Sequence, residues 1–320
     1  MRYQPIPQIG LRPSVLCLGT ADMGSKIDRA TSFRLLDIFV SHGGNFLDTA
    51  QVYADWLPGE RSISEKTLGE WLSTRGNRRE IVLATKGAHP QLETMHRHRM
   101  TRADIVHDLD ASLRNLRTDV VDLYWLHRDA LAVPVGEIIA ILNDQVRAGK
   151  IRAFGCSNWA TARIEAAQAY ATAHGLQGFS ANQPLWNIGV PDLAVIGDPT
   201  LTMMDETMRH FHQQTGVAAV PYSSQANGLF SRLASGKTAQ IKPATERVYH
   251  LPENQRRVER IRQLVQQSGL TPTQIVLGYL LGQPFPVFPI IGCQTVAQLE
   301  ESLTAGDVQL TREQIGVVEG

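Results

Sequence analysis

Only three cysteines occur among 320 residues. Cys17, Cys156 and Cys293 lie too far apart for a Cys-x-x-Cys zinc or redox motif, and too few for a disulfide scaffold. A reducing compartment suits such a chain. Neither sign of charge is in excess, since 31 Lys and Arg balance 31 Asp and Glu. No global basic field therefore draws the chain onto nucleic acid or an anionic membrane, and a small molecule is the expected partner. Long apolar runs are missing too. Met1 to Pro7 lacks the apolar core of a signal peptide, and the stretch from Ile275 to Ile291 is broken by Pro284, Pro286 and Pro289. A soluble, cytoplasmic protein is expected. Repeats, low-complexity tracts and linkers are absent, so residues 1–320 are expected to form one domain.

What is present is a recurring unit: a short apolar run, a turn, and a longer stretch with apolar residues three or four apart. The runs are Val15 to Gly19, Asn45 to Asp48, Ile81 to Lys86, Val120 to His127, Ile151 to Ser157, Gly178 to Gln183, Val217 to Tyr222 and Val287 to Ile291. Helical spacing lies between them, as in Phe33, Leu36 and Val40, or Ile105, Leu109, Leu113 and Leu116. It is weakest before Val217. Buried strands alternating with helices predict parallel pairing with right-handed crossovers, and closure into a (β/α)8 TIM barrel completes eight such units. An open doubly wound sheet is the alternative. Against it, Gly19-Thr20-Ala21-Asp22-Met23-Gly24 lacks the G-x-G-x-x-G spacing that cradles a pyrophosphate. Tyr3 to Pro13 reads as a hairpin capping one end of the barrel. The longest interval follows the seventh strand. Its first part, Ser223 to Pro252, has little helical periodicity and reads as a long loop across the barrel mouth.

Parallel barrel strands open their C-terminal ends onto one face, so Asp48, Lys86, His127, Ser157, Asn158, Gln183 and Tyr222 are expected around a single mouth, with Tyr53 over its rim. A phenol at neutral pH is a protonated weak acid whose pKa a nearby ammonium lowers, which makes Tyr53 beside Lys86 a general acid. Asp48 is the counter-charge a desolvated ammonium needs. A neutral imidazole on His127 can polarise a substrate oxygen. Proton delivery without a nucleophile or metal is what carbonyl reduction by hydride transfer asks of a protein, the hydride coming from a cofactor. Ser157, Asn158 and Gln183 offer groups for a carboxamide, and Tyr222 a ring for stacking.

These residues stand in motifs. Leu47-Asp48-Thr49-Ala50 with Tyr53 and Glu65-x-x-Leu68-Gly69, Thr85-Lys86-Gly87, Asp122-Leu123-Tyr124-Trp125-Leu126-His127, and Lys150-Ile151-Arg152-Ala153-Phe154-Gly155-Cys156-Ser157-Asn158 resemble the aldo-keto reductase superfamily, in its order and spacing, from about Val15 to Ser302. The resemblance implies a (β/α)8 barrel that reduces aldehydes or ketones, or oxidises the corresponding alcohols or sugars, with a nicotinamide cofactor and no metal. Tyr53 is then the acid, Lys86 and Asp48 tune it, and His127 orients the carbonyl. Ser157, Asn158 and Gln183 go to the carboxamide, Tyr222 beneath the ring, and Ser223 and Gln225 to the pyrophosphate, under a loop folded from the seventh strand. Gly19, Thr20 and Asp48 at the first strand ends, and Gly292 after the last, complete the cofactor contacts so implied.

The chain departs from the family pattern at the adenosine end. Gly292 to Ser302 carries no Arg or Lys where members selective for the 2′-phosphate usually place one. Gln294 and Gln298 suit a weakly held phosphate or a ribose hydroxyl, so NADP is the family default and NAD a rival. Glu301 and Ser302 resemble the adenine-holding pair. The chain stops at Gly320 soon after Thr311 to Val318, so no long C-terminal loop is expected to wall the substrate pocket. Trp56, Trp125 and Trp186 are candidates to line it, although Trp125 equally suits the strand core. His89, His96 and His98 lack a completing carboxylate or Cys and read as a solvated loop. Two other readings are a cofactor-sensing interaction module on the same fold and a barrel hydrolase holding a metal on Asp48 and His127. No partner-binding segment speaks for the first, and the missing His-x-His after the first strand speaks against the second. Oligomeric state is not legible.

Overall fold

The computed structural model describes residues 1–10 and 12–320. Its strands are β1 (Cys17–Gly19), β2 (Phe46–Asp48), β3 (Val82–Gly87), β4 (Val121–Leu126), β5 (Ile151–Ser157), β6 (Ala181–Gln183), β7 (Ala218–Ala219) and β8 (Ile290–Ile291). Every strand pairing is parallel, in the order β7-β6-β5-β4-β3-β2-β1-β8. The residues leading into β8 bring the two ends together. Ala219 N donates to Pro286 O at 2.9 Å, Phe288 N to Ala219 O at 2.8 Å and Ile290 N to Pro221 O at 3.0 Å. The sheet is thus a closed barrel. β7 stops short of the predicted Tyr222 because Pro221 has no N–H to continue the ladder.

Helices α1 (Arg29–Ser41), α2 (Ile63–Arg75), α3 (Arg102–Leu116), α4 (Val135–Arg147) and α5 (Thr161–Ala173) follow the first five strands. Between β6 and β7 come α6 (Leu193–Ile196) and α7 (Glu206–Thr215). α7 is the helix whose apolar spacing is weakest. It buries only Met208, Phe211 and His212, and is bounded instead by the Asp205 side chain accepting from Met208 N and by Gly216 in a left-handed C-cap. Beyond β7 the expected irregular loop is instead wound into short turns, α8 (Leu229–Ala234) and α9 (Pro243–Val248), before α10 (Pro252–Ser268) and α11 (Pro272–Leu281). Their brevity leaves too few residues for a periodic signal. α12 (Val296–Leu303) follows β8, and α13 (Arg312–Glu319) packs on α10. Among the described residues no helix is long and apolar enough to cross a membrane.

The barrel interior is filled by Cys17, Phe46, Val82, Ala84, Leu123, Trp125, Ala153, Ala181, Ala218, Val220 and Phe288. Phe46 and Phe288 meet edge to face with centroids 5.8 Å apart. Truncating such a ring to Ala costs about 3–5 kcal/mol. Ile6 and Ile9 pack into the same cluster, alongside the first residues of β1, β2 and β3. The N-terminal segment therefore plugs the end opposite the strand C-termini. It pairs antiparallel at Tyr3 and Ser14, with Gln4 N donating to Pro13 O at 3.1 Å. Leu11, within that predicted hairpin, lies outside the described residues.

Candidate active site

The turn after β2 is stitched onto β3. Thr49 N and Gln51 N each donate at 3.0 Å, to Ala84 O and Lys86 O, and Tyr53 N closes the turn on Ala50 O. This lattice of backbone bonds brings the Tyr53 hydroxyl to 2.8 Å from Lys86 Nζ. The ammonium also donates to Thr49 O at 2.9 Å and to Asp48 Oδ2. Asp48 Oδ1 in turn accepts from Trp125 Nε1 at 3.0 Å and from Gln183 Nε2 at 3.1 Å. Both carboxylate oxygens are engaged, and Asp48 and Lys86 are each 1% exposed. Trp125 therefore sits in the barrel core and bears on the site through its N–H rather than by lining a pocket.

Burial works against the Lys86 charge, yet Asp48 first and Tyr53 after it hold its pKa above the ordinary lysine value. Burial pushes the Asp48 carboxyl up from the usual range, opposed by Lys86, Gln183 and Trp125. For Tyr53 the expected lowering is reversed. Burial raises the phenol pKa, and the pull of the Lys86 ammonium only partly offsets it. The phenol stays protonated at neutral pH, the form an acid needs.

His127 follows β4 and is tied to β3 by its N donating to Gly87 O at 3.0 Å. Its ring stands edge-on to Tyr53, centroids 5.9 Å apart. Burial, then His89, Arg128 and Lys86, hold its pKa well below the usual value, so the imidazole is neutral. His89 is not the solvated residue expected. It is buried against His127, while His96 and His98 are exposed.

Ser157, Asn158 and Gln183 are gathered at the same rim but stand behind the groove described next. Ser157 Oγ donates to Gln183 O at 2.8 Å, and Asn158 Nδ2 donates to Ser157 Oγ at 3.1 Å and to His127 O at 3.3 Å. Asn158 takes a left-handed conformation, φ 62°. Its Oδ1 accepts from the Tyr222 hydroxyl at 2.8 Å, which ties β5 to the segment after β7. Of these only Tyr222 reaches the groove. Thr20 does not line it either. Its side chain is fully buried and its Oγ1 donates to Asp48 O at 3.1 Å.

The groove holds about 470 Å³ and runs from Asp48 and Tyr53 past Gly19, Tyr222, Ser223 and Gln225 to Gly292, Gln294, Gln298, Glu301 and Ser302. Gly19 is required by close approach, since a Cβ there would lie 2.7 Å from Ile290 Cγ2. Gln225 Nε2 donates to Ser302 Oγ at 3.0 Å, joining the loop after β7 to α12. Gln294 Nε2 donates to Asp22 Oδ2 at 2.9 Å. Glu301 accepts from Thr273 Oγ1. Basic residues absent from the segment after β8 are brought in from elsewhere: Arg232, Lys237 and Lys242, all between β7 and α10, line the same groove. Motif reading missed them because it looked for cations only next to the glutamines. Trp186, proposed for the rim, is instead buried against Phe285 and Tyr279. Trp56 is 48% exposed and lies edge-on to Tyr53.

Fold and site together define a class: a (β/α)8 barrel holding a protonated phenol against an ammonium at its mouth, beside a groove of cofactor size. The Aldo/keto reductase family model matches residues 15–320, and the chain belongs to that family. It is 33% identical to norsolorinic acid reductase stcV of Emericella nidulans, over 98% of this chain and 79% of that protein. Identity to aryl-alcohol dehydrogenase [NADP(+)] of Phanerodontia chrysosporium is 30%, over 98% and 83%. The uncharacterized oxidoreductase YrpG of Bacillus subtilis is also 30% identical, over 98% and 93%. A thermostable aldo-keto reductase solved with the inhibitor epalrestat has the same fold, with a TM-score of 0.73 at 22% identity, covering 100% of this chain and 99% of its own. The protein is thus a carbonyl oxidoreductase of a family that uses nicotinamide cofactors, acting on a small molecule.

Proposed function

We propose that the protein reduces an aldehyde or ketone, or oxidises the corresponding alcohol, with NADP(H), and that Tyr53 is its general acid and base. The observation that carries this is the double engagement of Lys86 Nζ, on Asp48 and on the Tyr53 hydroxyl, at the head of the groove. A nicotinamide cofactor supplies the hydride when bound. The groove fits one: its volume falls in the range of ligand sites, and hydroxyl, amide and cationic side chains follow one another along it. Tyr222 would stack at the nicotinamide end, backed by Ser157, Asn158 and Gln183, with Ser223 and Gln225 at the middle and Gln294, Gln298, Glu301 and Ser302 at the other end.

In reduction the substrate oxygen accepts from the Tyr53 hydroxyl and from the neutral His127 ring. As charge grows on that oxygen, Tyr53 transfers its proton, and the phenolate left behind is stabilised by the Lys86 ammonium. Asp48 keeps that ammonium charged in a dry site. Alcohol oxidation reverses the same transfers.

The preference for NADP rests on Arg232, Lys237 and Lys242, cations that suit a 2′-phosphate. One relative's name also specifies NADP(+). Parallel fluorescence titrations with NADPH and NADH test this directly. NADPH is expected to bind at least about tenfold more tightly, and Lys237→Ala with Lys242→Ala to erase most of that margin, a charge-assisted contact being worth about 1.5–3 kcal/mol. Equal affinities in the parent would refute the preference.

A further inference from the structure

Behind His127 stands a second imidazole. The His89 ring lies with its centroid 4.7 Å from that of His127, the planes crossing at 64°. His89 Nδ1 is 2.6 Å from Pro90 O, a carbonyl that can only accept, so Nδ1 carries the proton. The turn presenting this ring is clamped from both sides. Ala88 has φ 58°, a left-handed conformation unfavourable for Ala, and its N donates to Asp108 Oδ2 at 2.9 Å. Arg99 grips the same carboxylate through Nη1 at 2.8 Å and Nη2 at 2.7 Å, and Nη1 reaches His89 O at 3.3 Å. A half-buried arginine on a buried carboxylate thus fixes the backbone next to His89.

Two further observations bear on what the ring does. His127 Nδ1 is enclosed and has no hydrogen-bond partner among the described residues. His89, but not His127, lines a polar cavity of about 160 Å³, together with Gln51, Asp55, Arg61, Arg99 and Asp108. The charged and titratable groups facing His127 are His89, Arg128, Lys86 and Tyr53, and those facing His89 are His127, Arg128, Asp198 and Arg99, with Asp55, Arg61, Glu93, His107 and Asp108 around the same cavity. None of those facing His127 is a carboxylate. Water admitted through the His89 position would give His127 Nδ1 a partner, free the ring to change tautomer, and ease its protonation.

We propose that His89 is a positioning residue for carbonyl reduction: its ring is the dry wall that seats His127 edge-on to Tyr53 and leaves the His127 proton on Nε2. This rests on the reading of His127 as the group that orients the carbonyl. The structure places the wall, the clamp and the cavity; the reaction gives them a purpose.

Two substitutions separate the ring from its hydrogen bond. His89→Asn keeps a donor for Pro90 O and loses the ring, and His89→Phe keeps a ring and loses the donor. At saturating cofactor, His89→Asn is expected to lower kcat/KM by about 10- to 100-fold, the scale of a slightly misplaced catalytic group, while His89→Phe stays within about threefold of the parent. Nitrogen NMR of labelled protein, with the His127 signals identified by their absence in His127→Gln, reads the site without turnover. The parent is expected to show the Nε2–H form with no titration from about pH 8 down to about pH 5.5, and His89→Asn to take up a proton in that interval. An Nδ1–H form in the parent overturns the proposal without any variant. So does a His89→Asn protein with parental kcat/KM, or an equal loss in both variants. Should Tyr53→Phe prove fully active, the acid assignment fails, while the NMR result still judges His89 on its own.

Discussion

Lys86 Nζ lies 2.8 Å from the Tyr53 hydroxyl, across 33 positions of chain. Tyr53→Phe removes that oxygen and keeps the ring beside Trp56 and His127. Turnover of carbonyl substrates is expected to fall about 10²- to 10⁴-fold, the usual share of a general acid, with cofactor affinity unchanged. Steady-state kinetics and a cofactor titration check both parts. Parental turnover would remove Tyr53 from the mechanism.

Removing Lys86 alone strands the Asp48 carboxylate in the barrel. Lys86→Met is expected to cost about 3–5 kcal/mol in urea unfolding, the penalty of an unpaired buried charge. Adding Asp48→Asn should restore most of that stability without restoring turnover. A single variant as stable as the parent would show that Asp48 has another source of compensation.

Acid stability follows from the buried histidines. Burial lowers the pKa of His89 and of His212 to about 4, and that of His127 well below its usual value. Each depressed histidine leaves the unfolded chain binding more protons below the ordinary histidine pKa of about 6.5, so stability declines as pH falls from there toward about 4. For His89 and His212 the full loss is about 3 kcal/mol each, reached at or below the folded value. Denaturant melts across that interval should show the decline. His212→Gln, outside the site, should remove its share of that decline, about 3 kcal/mol, and leave kcat unchanged.

Trp56 is half exposed beside Tyr53, where a flat substrate face is expected to rest on it. Trp56→Ala is expected to raise KM for aromatic aldehydes about tenfold with little change in kcat, since such a contact binds ground and transition states alike. Its effect on folding stability should stay within about 0.5 kcal/mol. An unchanged KM over a panel of aromatic and aliphatic aldehydes would place the substrate elsewhere.

The strand ends at Gly19, Asp48, Ser157, Gln183 and Ile291 were readable as predicted, because strands buried on both faces must be short apolar runs and their polar successors mark the rim. Legible for the same reason was the meeting of Asp48, Lys86 and His127 at one mouth, since parallel pairing leaves all C-terminal ends on one side. α8 and α9 escaped because a helix of six residues carries hardly more than one turn of pattern. His89 escaped because its neighbours Gln91, His96 and His98 are polar, and nothing local reveals that Arg99 and Asp108 fold the turn inward.

Sequence by itself determined the barrel, the order of its units and the residue types at its mouth, all consequences of hydrophobic periodicity and chain direction. Only the tertiary structure decided the balance of burial against charge at Tyr53, the burial of Thr20 and Trp186 away from the groove, and the arrival of Lys237 and Lys242 in a groove whose other wall lies some fifty residues on. Desolvation and contact between distant segments depend on what surrounds an atom in space, and neighbours in space are set by the whole packed chain.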